Sequence, residues 1–460
     1  MSNRFDAIIV GAGQAGPPLA VRLANAGHRT ALVERNLFGG TCVNTGCVPT
    51  KTLIASARVA HVARVAGAYG IGFDGQVSVD MHKVKARKDA VVEASRSGVE
   101  NWLRGTPNVT VIRGHARFVG PRSVAVDGVT YESERIYLNV GGRPSAPPIA
   151  GLASVPYLTN STMMDVDFLP EHLVIIGGSY IGLEFAQMYR RFGSNVTIVE
   201  MSPRIIPRED PEISEAIRAV LEREGITIHT DARCIAVRGD GAGVSLGFGG
   251  EGAAPAVRGS HLLVAAGRRP NTDDLGLAAA GIETDAQGYI PVDDTLMTKI
   301  PGVYVLGDAN RRGAFTHTSY NDFEIVAANL LDGAQRRVSD RVPAYALYVD
   351  PPLGRVGMTE AEVRKLRCHA LVATMPMTRV GRAYERGETA GMMKALVDAE
   401  TKRILGAAIL GIEGDEVIHV LVLAMNAKLP YTAIRSAVPI HPTVAELLPT
   451  LFAGLTPLKD

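Results

Sequence analysis

Ala7-Ile8-Ile9-Val10-Gly11-Ala12-Gly13-Gln14-Ala15-Gly16 joins an apolar run to spaced glycines, and its reading decides the fold. The apolar run fits a buried strand, and the glycines allow a tight turn into a helix with apolar positions at Leu19, Leu23 and Ala26. A second strand, Thr30-Ala31-Leu32-Val33, then ends in Glu34. Strand, turn, helix, strand and terminal acid form a dinucleotide-binding fingerprint. The glycines let a pyrophosphate approach the helix N-terminus, and the acid accepts from a ribose hydroxyl. Gly11, Gly13, Gly16 and Glu34 are the candidate binding residues.

The pattern recurs. Leu173-Val174-Ile175-Ile176 leads into Gly177-Gly178-Ser179-Tyr180-Ile181-Gly182, and Val196-Thr197-Ile198-Val199 ends in Glu200. Glu34 stands 23 positions after Gly11, and Glu200 stands 23 after Gly177. The units also close alike, with Asn139-Val140-Gly141-Gly142-Arg143-Pro144 in one and Ala265-Ala266-Gly267-Arg268-Arg269-Pro270 in the other. Ser179 replaces the usual middle glycine. A carboxylate at Glu200 would repel a 2′-phosphate, which favours NADH, while Arg204 and Arg208 weaken that preference and keep NADPH open.

The first unit carries an insertion, Gly39-Gly40-Thr41-Cys42-Val43-Asn44-Thr45-Gly46-Cys47-Val48-Pro49-Thr50-Lys51, in a chain whose other cysteines are Cys234 and Cys368. Helical residues five apart are separated by roughly 7.5 Å along the axis, beyond the roughly 7 Å that a disulfide spans between Cα atoms. A Cys42–Cys47 bridge therefore needs a distorted turn. Gly39, Gly40 and Gly46 relax the backbone, and Pro49 suits the first turn of a helix whose positive end stabilises a thiolate. The pair is either redox-active or two buried structural thiols. Apolar spacing predicts a further helix near residues 81–103.

Beyond the second unit, Gly302-Val303-Tyr304-Val305-Leu306-Gly307-Asp308 ends a strand ahead of a helix expected from about Ser319 to Leu331. A bare Gly-Asp is usually just a turn; ahead of such a helix Asp308 would suit a ribitol hydroxyl, with the helix N-terminus near Thr316 and His317 toward flavin oxygens. From about residue 340 the pattern becomes α+β, with strands at 392–397 and 404–409 and a helix over about 413–427. In His441-Pro442-Thr443-Val444-Ala445-Glu446 a carboxylate follows a histidine by five positions. If Pro442 starts a helix, the two form an oriented acid/base pair; the commoner reading is an ordinary satisfied histidine.

The 460 residues are 46% hydrophobic, enough for several cores, and 48 Lys+Arg against 47 Asp+Glu give a formal charge of +1. No global field draws this chain to nucleic acid or membrane, so the expected partner is a small molecule. The opening Met1-Ser2-Asn3-Arg4 lacks a basic leader, and no run of 18 apolar residues follows. A soluble, cytoplasmic protein is expected. Few cysteines exclude a secreted disulfide framework.

Two dinucleotide folds, a CxxxxC insertion, a Gly-Asp signature and a terminal HPTxxE resemble the pyridine nucleotide-disulfide oxidoreductases, the branch of dihydrolipoamide dehydrogenase, glutathione reductase and mercuric reductase. The resemblance spans essentially the whole chain. It implies two Rossmann-like α/β domains and a C-terminal α+β dimerisation domain. The boundaries are 1–148 for the first part of the FAD domain, 149–270 for NAD(P), 271–336 for the second FAD part and 337–460 for dimerisation. FAD would lie along Gly11, Gly13, Gly16, Glu34, Gly40, Thr41, Cys42, Lys51, Ala116, Asp308 and Thr316. NADH, or NADPH, would lie along Gly177, Tyr180, Gly182, Glu200 and Gly267. Lys51 and Glu184 would pair beside the flavin, and Tyr180 would cover the nicotinamide pocket. Cys47 would be the thiolate against the flavin, Cys42 the thiol that attacks the acceptor, and His441 with Glu446 the acid/base pair lent to the opposite subunit of a homodimer.

The acceptor is less defined. CVNTGCVPTK and Phe315-Thr316-His317-Thr318-Ser319-Tyr320 look closer to mercuric reductase and to copper-reducing flavoproteins of reactive-chlorine resistance. Yet the sequence ends Pro457-Leu458-Lys459-Asp460 without vicinal cysteines, keeps His441 where mercuric reductases carry tyrosine, and shows no N-terminal metal-binding domain. Reduction of a disulfide or thiol-reactive oxidant is the leading expectation. Reduction of Hg(II) or Cu(II) is second, and a non-catalytic flavoprotein sensor third. No resident metal is expected.

Overall fold

The computed structural model describes residues 3–72, 75–241, 243–249 and 257–459. Met1, Ser2 and Asp460, which enter the leader and C-terminal expectations, lie outside them. Ala7–Val10 is the middle strand of a five-stranded sheet ordered Val303–Val305, Ile136–Leu138, Ala7–Val10, Thr30–Glu34, Val109–Arg113. Each pairing is parallel. Parallel sheets are covered on both faces, which is why Ile8 and Ile9 sit fully buried in a run without polar alternation. Helix α1 (Gly16–Asn25) covers one face through Leu19 and Leu23. The insertion folds as α2 (Gly40–Asn44), α3 (Cys47–Val65) and α4 (Met81–Gly105), the last capped by Asp80 through its bond from the Lys83 N–H.

The repeat is structural as well as sequential. Thr227–His229, Asn195–Val199, His172–Ile176 and His261–Val264 form a second parallel sheet in that order, with α5 (Tyr180–Phe192) and α6 (Pro211–Arg223) against it. The two similar closing segments pair with each other: Arg268–Pro270 runs antiparallel to Gly142–Pro144 and ties the units together.

Helix α7 (Thr316–Leu331) starts three residues earlier than the sequence pattern suggests. The Phe315 N–H donates to Thr318 Oγ1 at 3.1 Å, which stabilises this first turn despite its threonines. The C-terminal sheet is antiparallel, ordered Ala344–Leu347, Leu353–Gly357, Ile404–Leu410, Met392–Asp398, Ala370–Pro376, Thr456–Pro457. Helix Gly414–Asn426 packs on it. Pro442 does not start a helix, contrary to the sequence reading; the chain first bends, then forms a short 3-10 turn over Ala445–Leu447 and a helix over Leu448–Ala453. Among the described residues no helix is long and apolar enough to cross a membrane.

Close backbone contact makes two glycines irreplaceable. A Cβ on Gly16 would lie 2.2 Å from the Gly11 carbonyl oxygen, and one on Gly182 would lie 2.0 Å from that of Gly177. Gly98, inside α4, would meet nothing within 4 Å. Gly16→Ala is therefore expected to lower stability by about 1–3 kcal/mol, whereas Gly98→Ala should raise it by about 0.5–1 kcal/mol. Thermal unfolding midpoints of the two variants, moving in opposite directions, check both.

Candidate active site

A cavity of about 2410 Å³ runs from Glu34, past Cys42 and Cys47, to Glu200. Pockets for one small ligand usually measure roughly 300–1,000 Å³, so this one has room for two extended molecules meeting at the cysteines.

The same device braces each end. Glu34 accepts from the Ala12 N–H and the Asn36 N–H, both at 2.7 Å. Glu200 accepts from the Gly178 N–H at 2.6 Å and the Ser202 N–H at 2.7 Å. Each carboxylate spends one lone pair per oxygen on the backbone and keeps others for ribose hydroxyls. Gly11 and Gly13 line the cavity, while Gly16, Gly177 and Gly182 do not; those three let helix meet strand behind it. Asn139 is a residue the sequence reading did not single out. Its Oδ1 accepts from the Gly16 N–H at 2.9 Å and its Nδ2 donates to the Leu306 carbonyl at 3.0 Å, so one buried amide fixes the turn against the strand at 303–305.

The cysteine segment is a broken helix. Helix α2 stops at Thr45, and Gly46, with φ −127° and ψ −118°, starts α3. A Cβ on Gly46 would lie 2.8 Å from the Thr41 carbonyl oxygen, so the distorted turn needs glycine. The break brings Cys42 and Cys47, both thiols here, close enough for each to shift the other's titration. Cys47 is the first residue of α3, and Thr316 Oγ1 lies 3.2 Å from its sulfur. Its pKa falls to about 6 because Cys42 donates to it, with Thr316 and the Lys51 charge assisting against burial. Cys42 is pushed far upward by that donation and by burial. The two shifts favour the thiolate at Cys47 over one at Cys42.

Lys51 Nζ meets Glu184 Oε2 at 2.5 Å and lies 4.4 Å from the centroid of the Tyr348 ring. Glu184 Oε1 also accepts from the Tyr348 N–H at 3.1 Å. Gly40, at φ +60°, approaches so closely that a Cβ would lie 2.9 Å from Gly13 Cα. Thr41, Ala116, Tyr180, Gly267, Asp308 and Thr316 line the same cavity. Burial raises the Asp308 pKa against the nearby Arg268. Buried Asp322 holds its loop, accepting from the Gly307 N–H at 2.8 Å and Asn310 Nδ2 at 2.9 Å. His441 and Glu446 do pair, Nδ1 to Oε2 at 2.9 Å, but they lie outside the cavity and the histidine side chain is 79% exposed.

Residues 5–322 match the model of the pyridine nucleotide-disulphide oxidoreductases, and residues 343–452 match the dimerisation domain of the same family. The chain belongs to this family. The probable pyridine nucleotide-disulfide oxidoreductase RclA of Escherichia coli (strain K12) is 37% identical, covering 98% of this chain and 99% of its own. A mercuric reductase of Streptomyces lividans is 36% identical over 96% of this chain and 94% of its own. Among solved structures, the "Cu(II) complex of HOCl-induced flavoprotein disulfide reductase RclA from Escherichia coli" superimposes with a TM-score of 0.89 at 35% identity, covering 98% of this chain and 99% of that one. Like the family, the chain is an FAD-dependent oxidoreductase of the disulfide type that uses NAD(P)H. The dimerisation domain supports a homodimer. The cavity suits FAD on its own terms: a glycine turn at a helix N-terminus, a braced carboxylate, and the Gly13–Gly40 approach, which leaves the backbone bare where a pyrophosphate would pass.

The Cys47 thiol should titrate near pH 6, read as the pH dependence of its alkylation in the reduced protein. Cys42→Ala removes the donor and should return that pKa toward the free-thiol range. Lys51→Met should raise it less, because Lys51 acts after the Cys42 and Thr316 hydrogen bonds.

Proposed function

We propose that Cys42 and Cys47 are the redox pair, working between NADH-reduced flavin and a small disulfide or thiol-reactive acceptor. The observation that carries this reading is the placement of Cys47 as the first residue of α3, 3.2 Å from Thr316 Oγ1 and set beside Cys42 by the break at Gly46. Bound FAD would supply the two-electron relay between nicotinamide and sulfur. Gly11, Gly13, Gly40, Thr41, Glu34, Ala116 and Asp308 would hold it, with Lys51, paired to Glu184, and Thr316 near its ring. Gly267 and Glu200 would hold the nicotinamide dinucleotide, and Tyr180 would close over it.

With an acceptor disulfide, the partner subunit's His441, oriented by Glu446, takes the Cys42 proton. The Cys42 thiolate attacks one acceptor sulfur, forming a mixed disulfide and expelling a thiolate, which receives the proton back from His441. Cys47 then attacks Cys42 sulfur, closing the intramolecular disulfide and releasing the second thiolate. A cytoplasmic setting, where thiols stay reduced, fits this cycle. Glu200 supports NADH over NADPH, and Arg204 is turned to the Pro207 carbonyl at 3.3 Å, while Arg208, which lines the cavity, keeps NADPH open. We divide the chain at residues 148, 270 and 336.

Reduction of a metal ion is the second reading, supported by the mercuric reductase relatives and by the copper complex of the structural neighbour. Among the described residues no group of three or more His, Cys, Asp or Glu is placed to hold a metal, so Cys42 and Cys47 would be its soft ligands.

Steady-state assays with Hg(II), Cu(II), lipoamide and other small disulfides separate these readings. Cys42→Ser should abolish disulfide turnover, and His441→Ala should lower kcat about 100-fold or more. Reduction of Hg(II) or Cu(II) by the unsubstituted enzyme, with no disulfide turned over, would overturn the first reading. Glu200→Ala should narrow the kcat/KM preference for NADH over NADPH by about tenfold, equivalent to ~1.4 kcal/mol.

A further inference from the structure

Three parts of the fold converge on one carboxylate. Glu209 follows the second unit's Glu200 in a loop, and its side chain is 0% exposed. Its Oε1 accepts from two hydroxyls, Tyr345 at 2.5 Å and Tyr180 at 3.4 Å. Its Oε2 lies 3.4 Å from Arg355 Nη1 and takes no hydrogen bond among the described residues. Tyr180 opens α5, whereas Tyr345 and Arg355 belong to neighbouring strands of the C-terminal sheet. The Tyr180 and Tyr345 rings meet edge to face at 5.6 Å, and Tyr345 stacks on Phe315 at 5.4 Å.

From this geometry we infer that Tyr345 and Glu209 are positioning residues, the latch of the nicotinamide gate formed by Tyr180. The inference rests on the reading of Tyr180 as that gate. A fully buried carboxylate must keep a good donor, because an unmet charge there is costly. Tyr345 supplies the short bond, so Tyr180 can leave Glu209 by breaking only the long one. Opening is thereby cheap, and Oε1 keeps a donor in both positions. Without the Tyr345 hydroxyl, Tyr180 becomes the remaining hydroxyl donor to Oε1, and the closed state tightens by the difference between a weak and a charge-assisted hydrogen bond. Nicotinamide binds the open state alone, so its apparent affinity falls with the open fraction while the rate at saturation does not.

Rapid mixing of oxidised, FAD-loaded enzyme with NADH tests this through the concentration dependence of flavin bleaching. Tyr345→Phe should raise the half-saturating NADH concentration about tenfold, with the limiting rate and subsequent reoxidation by a small disulfide unchanged. Glu209→Gln keeps the shape but weakens the acceptor, and should lower the half-saturating concentration about threefold. Tyr180→Phe should lower it as well, and in the Tyr345→Phe background should cancel the tenfold rise. A structural lesion would instead depress the limiting rate and would not be rescued, which would overturn the latch. If Tyr180→Phe shifts the concentration dependence and neither Tyr345→Phe nor Glu209→Gln does, the latch is wrong and the gate stands. If none of the three shifts it, the gate reading fails and the latch falls with it.

Discussion

The juxtaposition of Cys42 and Cys47 across a break in the helix is the constraint on which the site depends. Five residues along a regular helix cannot bring two sulfurs together, so the chain breaks the helix at Thr45 and Gly46 and restarts it at Cys47. The restart does three things with one backbone change. It sets the two thiols near enough to shift each other's titration, places Cys47 at the positive end of a 19-residue helix, and turns it toward the Thr316 hydroxyl. The two thiols, chemically identical in an unfolded chain, come out with opposite shifts. That inequality favours Cys47 as the thiolate of the pair.

Around this pair the fold uses one solution twice. Each nucleotide unit ends a strand in glutamate and then spends that carboxylate on backbone N–H groups on either side, Ala12 and Asn36 in one, Gly178 and Ser202 in the other. A charged acceptor satisfied in this way holds the glycine turn and its own rotamer together. The turn is therefore set in advance of any ligand, which removes ordering cost from binding. Ser179 fits the second turn because it sits in extended backbone, at φ −105° and ψ −174°, where a side chain is tolerated.

What was legible in the sequence is what is encoded locally. Gly11 to Glu34 and Gly177 to Glu200 announce themselves through strand, turn and helix periodicity, and Gly39 to Lys51 through the rarity of cysteine. The Lys51–Glu184 and His441–Glu446 pairs came from family resemblance and from sequence proximity, and both meet in the structure. Asn139 was hidden because its contact with Gly16 spans 123 positions, and a lone polar residue at a strand end carries no periodic signal. Tyr345 reaching Glu209 across 136 positions was hidden for the same reason. Pro442 misled because a fixed φ suits a bend as well as a first helical turn. The early start of α7 escaped because threonines at 316 and 318 read as poor helix formers, and only the Thr318 side chain closing back on Phe315 shows why they begin it.

The strand Ala344–Leu347 shows how the C-terminal sheet comes to share in the site. It is the outermost strand of its sheet, and an outer strand carries backbone groups that the sheet itself cannot satisfy. The carbonyl of Ala344 is met by His317 Nε2 at 2.7 Å, which also fixes the histidine as the Nε2–H tautomer, since a carbonyl can only accept. The neighbouring Tyr345 reaches Glu209. One donor comes from α7, which also touches Cys47 through Thr316; the other acceptor comes from the loop beyond Glu200. The contacts of this one strand thus bring α7, whose Thr316 touches Cys47, and the loop beyond Glu200 to one place.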